Sequence, residues 1–228
     1  MARKSPVNDE LWAVVEEKIS TQRMAGYLKE ANGDQNRAVE LYEWNNNLSA
    51  SLWQLLSILE VGVRNSIDSK MRGRQMRLQR KEHWIFDDYF ELGRQRNGTR
   101  NANQPFRDIE SAIARVQKNG KPLTPSQIIS ETSFGFWNQL VGKRNKFLWP
   151  DLAGAFPNAP TRDQKYVSTL FSDLRDIRNR ISHNHKLHAQ SVEAGELMIL
   201  ELAKAIDPDF AEWLQSMSRI AEVKAFRP

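Results

Sequence analysis

The chain has 228 residues, 40% of them hydrophobic and including seven Trp and ten Phe, which suffices for one sizeable core. It holds no cysteine, which excludes disulfides, a thiolate nucleophile and cysteine-ligated zinc. A net charge of +5 points to a polyanionic partner. The basic start "MARKSPVNDE" leads into no apolar run, and the most apolar window, "LWQLLSILEVGV", is short and carries Glu60, so a soluble, cytoplasmic protein without signal peptide or membrane span is expected.

Ser5 and Pro6 read as the cap and first position of a helix in which Leu11, Val14, Val15 and Ile19 share a face. A second short helix, "QRMAGYLKEA", stops at Asn32-Gly33, a pair suited to the left-handed conformation that closes helices. Asp34 then caps the longest helix. Within it Leu41, Leu48, Leu52, Leu55, Leu59, Val63 and Ile67 follow at spacings of seven, four, three, four, four and four residues, one continuous core stripe. At its end "KMRGRQMRLQRKEH" sets six cations against Glu82 alone, whereas residues 189–228 hold seven acids and four bases. Arg74, Arg77, Arg80 and Lys81 are therefore candidate RNA-binding residues, the alternative being an ordinary solvated helix end.

"ELGRQRNGTRNANQPFR", residues 91–107, has the composition of an exposed, disordered loop. Further helices are predicted at Asp108–Asn119, about Phe134–Leu148, Arg162–Ser182, Ser191–Ile206 and Pro208–Val223, with the prolines of "FPNAPT" preventing continuation between the second and third. No window alternates long enough for a buried strand and no repeat occurs. The fold class is all-α, a single folding unit.

Three of the four histidines, His183, His185 and His188, fall within six positions in "DLRDIRNRISHNHKLH". An imidazole transfers protons near neutral pH, and a guanidinium forks onto phosphate oxygens, so the pair suits attack on a phosphodiester. RNA carries its own nucleophile in the 2′-hydroxyl. Such a site needs a proton-transfer group and cations to hold the developing charge; no metal or cofactor is called for. H-x-H-x-x-H also invites a metal reading, but no nearby carboxylate sits at a ligand spacing. At roughly 100° per residue, Asn179 and His183 lie about 40° apart around a helix and Arg178 and His183 about 140°. Arg178 must reach round, or the helix must loosen near His183, or the two must serve a site shared with another chain.

Arg178-Asn179-x-x-x-His183 resembles the R-x4-6-H motif of the HEPN superfamily. With "LYEWNNNLSASLWQLLSILEVGVRNSI", "SFGFWNQLV", "LWPDLAGAFP" and "LRDIRNRISHNH" in that order, the chain is similar to the bacterial abortive-infection (Abi-like) proteins over about residues 20–205. Relatives commonly continue the motif histidine with His-Glu-Pro; here Asn184-His185-Lys186 follows. The resemblance implies a HEPN-like helical bundle over residues 34–228, with residues 1–33 a helical extension packed on it. It implies a homodimer whose two motifs face one cleft, acting as a metal-independent endoribonuclease toxin in phage defence. The products would be a 2′,3′-cyclic phosphate and a 5′-hydroxyl. Its site residues would be Arg178, Asn179 and His183; its partners RNA, a second copy, and an antitoxin or other defence component. The alternative is a non-catalytic HEPN module that binds RNA or a protein. Glu60, Arg64, Asn65 and His185 are candidate cleft-lining residues, although polar groups flanking a core stripe equally well satisfy buried partners.

Overall fold

Asn8 caps the first described helix, α1 (Asp9–Val15), its side-chain oxygen accepting from the Leu11 N–H at 2.9 Å. The computed structural model describes residues 8–95 and 103–228, so the Ser5-Pro6 cap lies outside the described residues. A π-helical turn over Glu16–Ser20 leads into α2 (Thr21–Glu30), which closes through left-handed Asn32 and Gly33. The Asp34 carboxylate then accepts from the Arg37 N–H at 3.1 Å, and α3 (Gln35–Arg77) runs for 43 residues. Every member of the sequence-derived stripe, from Leu41 to Ile67, is 2% exposed or less.

The remaining helices wrap α3. They are α4 (Phe106–Lys118), α5 (Pro125–Ser130), α6 (Phe134–Val141), α7 (Trp149–Leu152), α8 (Gln164–Ser182), α9 (Ala189–Ile206), α10 (Pro208–Met217) and α11 (Ile220–Ala225), with short 3-10 turns between some of them. Among the described residues every regular element is helical and none is a strand, so the fold is all-α. Trp12, Met24, Tyr27, Ala38, Val39 and Leu41 form a small cluster where α1 and α2 meet the first turns of α3. The main cluster runs from Leu48 onward. In it Phe134, Phe136 and Trp137 of α6 pack with Trp84 and Phe171 in stacked and edge-on pairs. Gly195 lets α9 close on two helices at once: a Cβ there would lie 3.1 Å from Leu52 and 3.2 Å from Ile177 of α8.

Two predicted helices end early, each for a nonlocal reason. The helix from Phe134 stops at Val141 because Gln164 donates to the Val141 and Gly142 carbonyls at 2.9 Å and Asn145 donates to the Gln139 carbonyl at 2.8 Å. Side chains thus take the carbonyl groups a further turn would use. The helix from Pro208 breaks after Met217, where the Ser218 hydroxyl bonds to Glu196 and accepts from the Ile220 N–H. The predicted loop over 91–107 is also corrected at its start. Leu92 is 2% exposed, and buried Asp87 accepts from the Glu91, Leu92 and Arg94 N–H groups at 2.8–2.9 Å. The middle of that loop, residues 96–102, lies outside the described residues.

Since Leu59 is 0% exposed at the centre of the main cluster, Leu59→Ala is expected to cost about 2–5 kcal/mol. Met76→Ala, at a side chain 74% exposed, is expected to stay within about 0.5 kcal/mol of the parent. Urea unfolding midpoints of the two variants check the contrast.

Candidate functional site

The site is built on the end of α8. Leu170, Phe171 and Leu174 bury one face of this helix, and Asp163 caps its start. At its other end His183 is the last half-turn residue, donating its N–H to the Asn179 carbonyl at 3.0 Å. Asn184 follows in the left-handed conformation at φ 52°. The Asn184 N–H then reaches the Ile181 carbonyl and the His185 N–H the Arg180 carbonyl, both at 2.9 Å. This is the Schellman closure, which asparagine enters at lower cost than most side chains. The helix therefore stays regular through Ser182, and the loosening near His183 that sequence left open does not occur. Asn179, His183 and His185 are exposed, with the two imidazoles edge to face at 6.2 Å.

Arg178 turns the other way. Its guanidinium sits 5.4 Å over the Trp53 ring of α3 and near Glu60. Glu60 meets Arg64 at 3.4 Å, and the Nε atoms of Arg64 and Arg178 are both buried without a hydrogen-bond partner. Burial pushes the Glu60 carboxyl above the usual range, opposed by the charges of Arg64 and Arg178. The structure thus gathers Glu60 and Arg64 with Arg178 and places His185 beside His183. It does not bring Asn65 there: one residue beyond Arg64 is about 100° round the helix, and Asn65 borders a separate recess with Ser66, Lys70 and Gly154. Arg178 and His183 share no hydrogen bond.

Sequence reasoning missed the residues that hold the histidine turn. Asn45, only 3% exposed within the core stripe, accepts the Leu187 N–H at 3.2 Å and donates to the Leu187 carbonyl at 2.5 Å. Tyr27 donates its hydroxyl to the same Asn45 oxygen at 3.1 Å, and burial pushes that phenol up to about 12, so it stays a donor. From α2, Arg23 bonds the Asn184 carbonyl and Glu30 pairs with Lys186 at 2.6 Å. A polar residue at a stripe position was the one available signal. Among the described residues no three His, Asp or Glu side chains converge as a metal site, and His188 instead opens α9 as its N-cap. Nor is any described helix long and apolar enough to cross a membrane.

The profile of the Abi-like protein family matches residues 12–189. The chain belongs to the Abi-like family. No curated protein and no solved structure matches it. The family match takes in α2, all of α3, Arg178 and the whole histidine turn, and leaves nearly all of α9, together with α10 and α11, outside it.

The basic run of this Abi-like protein is largely engaged within the fold. Arg74 is 9% exposed and forks onto Glu91 at 2.6 and 2.9 Å, with its Nε 3.2 Å from Asp151. Arg80 grips the same Glu91 at 2.6 and 3.1 Å and lies 4.2 Å over Tyr89. Arg77 pairs with Asp151 at 2.8 Å but keeps a mostly exposed side chain, and Lys81 is exposed. Arg74 and Arg80, two of the four candidate RNA-binding residues, are thus engaged with Glu91: Arg74 lies on the buried face that α3 carries past Met71, and Arg80 follows the helix's end.

Burial alone would raise the Glu91 carboxyl, but the hydrogen bonds and charges of Arg80 and Arg74 outweigh it and hold it at about 2, against an ordinary 4.5. A depressed carboxyl stabilises the fold above its unfolded value and loses that contribution as pH falls through the folded one. The stability gap between the parent and Glu91→Gln should therefore be full above about pH 4.5 and close toward about pH 2, as urea midpoints across that range would show. At neutral pH, Arg74→Ala should cost at least about 2 kcal/mol. That is below the roughly 3–5 kcal/mol of a fully buried pair, because part of Glu91 remains in solvent.

Proposed function

We propose that this Abi-like protein is a metal-independent endoribonuclease of the HEPN type, acting as a homodimer in abortive-infection defence against phage. The observation that carries this reading is the end of α8, where a guanidinium fixed on the Trp53 ring and an imidazole open to solvent are separated by four residues. His183 accepts the proton of an RNA 2′-hydroxyl while that oxygen attacks the adjacent phosphorus. The bond to the 5′ oxygen breaks, the leaving oxygen takes up a proton from an imidazolium, and a 2′,3′-cyclic phosphate and a 5′-hydroxyl result. Arg178 stabilises charge on the non-bridging oxygens, and Asn179 orients the imidazole. In the homodimer two such helix ends face one cleft, which removes the need for a single chain to bring Arg178 and His183 onto one phosphate. An antitoxin or another defence component is the protein partner that a growth-arresting nuclease requires.

The test is cleavage of RNA in EDTA. Wild-type protein should cut, and His183→Ala and Arg178→Ala should each lose at least about a hundredfold in rate at equal folded content. Full activity in both variants would remove the catalytic assignment, and activity only on adding zinc would move it to the histidine cluster.

RNA binding is a separate matter from cleavage. With Arg74 and Arg80 committed inside the fold, Arg77 and Lys81 remain as the contacts of the run with a phosphate backbone. Arg77→Gln with Lys81→Gln should flatten the log–log salt dependence of single-stranded RNA binding by about 0.7 per lost contact. His183→Ala should leave that slope unchanged. Fluorescence anisotropy across a salt series measures both, and identical slopes for parent and double variant would make the run a solvated helix end.

A further inference from the structure

Asn45 stands where the sequence of α3 calls for an apolar residue. It follows Leu41 by four and precedes Leu48 by three, both fully buried, and is itself 3% exposed. An amide in such a place costs stability unless its bonds are made. Asn45 makes them mostly with one residue 142 positions away, taking both the N–H and the C=O of Leu187. Holding both backbone groups of a single residue fixes its orientation as well as its place. Leu187 is four residues beyond His183, and the intervening turn is closed at its start by the Asn184 and His185 bonds to α8. Inside it, Arg180 donates to the Lys186 carbonyl at 3.2 Å. His183, Asn184 and His185 are exposed and have no apolar anchor of their own; Leu187, 2% exposed, is the turn's one buried side chain.

We propose that Asn45 is a positioning residue for the His183 turn, setting through Leu187 where the imidazole stands relative to Arg178, a role that rests on His183 as the proton-transferring group. Helix α2 completes the support. The Tyr27 ring underlies the Lys186 ammonium at 4.3 Å, Glu30 holds Lys186 and Arg23 holds the Asn184 carbonyl. The N-terminal helices thereby act on the reacting end of α8 without touching His183. Displacements of about an ångström at a reacting group lower rates by about a hundredfold, so a side chain that fixes the turn acts on kcat more than on KM.

The experiment uses the full chain with Asn45→Ala, Asn45→Asp and Tyr27→Phe. Asn45→Asp keeps the acceptor for the Leu187 N–H but sets a carboxylate oxygen against the Leu187 carbonyl, and it serves if Asn45→Ala does not fold. Tyr27→Phe perturbs the same buried cluster while leaving both Leu187 bonds. Either Asn45 variant should lower kcat for RNA cleavage at least about tenfold with KM within about threefold, and Tyr27→Phe should stay within about threefold of the parent in both. In a His183→Ala background the Asn45 substitution should add no further loss. Amide hydrogen exchange gives a readout independent of cleavage: residues 184–187 should exchange at least about tenfold faster in the Asn45 variants, with the centre of α3 unchanged. Faster exchange at the turn with unaltered kcat overturns the positioning role, as does unaltered exchange. Should wild-type protein not cleave RNA, or His183→Ala cleave fully, the nuclease reading and with it the catalytic consequence of Asn45 fall, while the exchange data still decide whether Asn45 sets the turn.

Discussion

The constraint on which the rest of the structure depends is the mismatch between the period of α3 and the spacing of its buried side chains. From Leu55 through Leu59, Val63 and Ile67 to Met71 the buried positions recur every four residues. Four residues overshoot a full turn by about 40°, so these four steps carry the buried stripe about 160° round the helix. A helix whose apolar face winds in this way cannot be satisfied by one flat neighbour. It is covered instead by successive partners: α2 and α11 near its start, α9, α8 and α6 along its middle, and α7 with the 3-10 turn that follows it near its end. The short helices that look like interruptions of a bundle are the pieces that follow the stripe round.

The same winding decides the fate of the basic run. Continuing the stripe three and four residues past Met71 gives Arg74 and Gln75, and both are buried. Charge counting reads this segment as a cationic surface, whereas helical phase reads part of it as interior. Phase wins because the apolar surface around Met71 and Trp84 has to be closed, and a guanidinium can be taken inside only with its counter-charge. Glu91 and Asp151 supply that charge. Glu91 is in turn held in place by the Asp87 carboxylate, which gathers three backbone N–H groups of what composition marks as loop. The loop's beginning is therefore as fixed as the helix it neutralises.

What could be read from sequence is what local chemistry determines. The Asp34 cap, the Asn32-Gly33 stop and the stripe from Leu41 to Ile67 each depend on residues within a turn or two, and all are found as expected. The helix ends at Val141 and Met217 depend in part on Gln164 and Glu196, side chains more than twenty residues away whose contribution no local pattern announces. At the candidate site the division is the same. The placement of Arg178, Asn179 and His183 on one helix end follows from their sequence spacing. The Trp53 and Glu60 environment of Arg178 and the Asn45 hold on Leu187 come from α3, more than a hundred residues earlier.

On the proposed ribonuclease reading, electrostatics at that site bears on how the guanidinium would meet a phosphate. A free arginine would exchange water for a new anion at little gain, since both states are well solvated. Arg178 is partly desolvated already, on the Trp53 ring and with a buried, unpartnered Nε, so its preference for an anionic partner is strengthened before any substrate arrives. Glu60, whose carboxylate interacts electrostatically with it, is a weak competitor. Burial raises the Glu60 pKa in spite of two neighbouring guanidiniums, which means that holding the negative charge there is costly. A phosphodiester reaching the same space brings a charge that burial does not neutralise, because its pKa lies far below that of a carboxyl, and it offers oxygens to the idle Nε as well. On the proposed ribonuclease reading, Glu60 attracts Arg178 before substrate binds and gives way to a stronger anion, so part of the cost of orienting the guanidinium is met in folding rather than in the reaction.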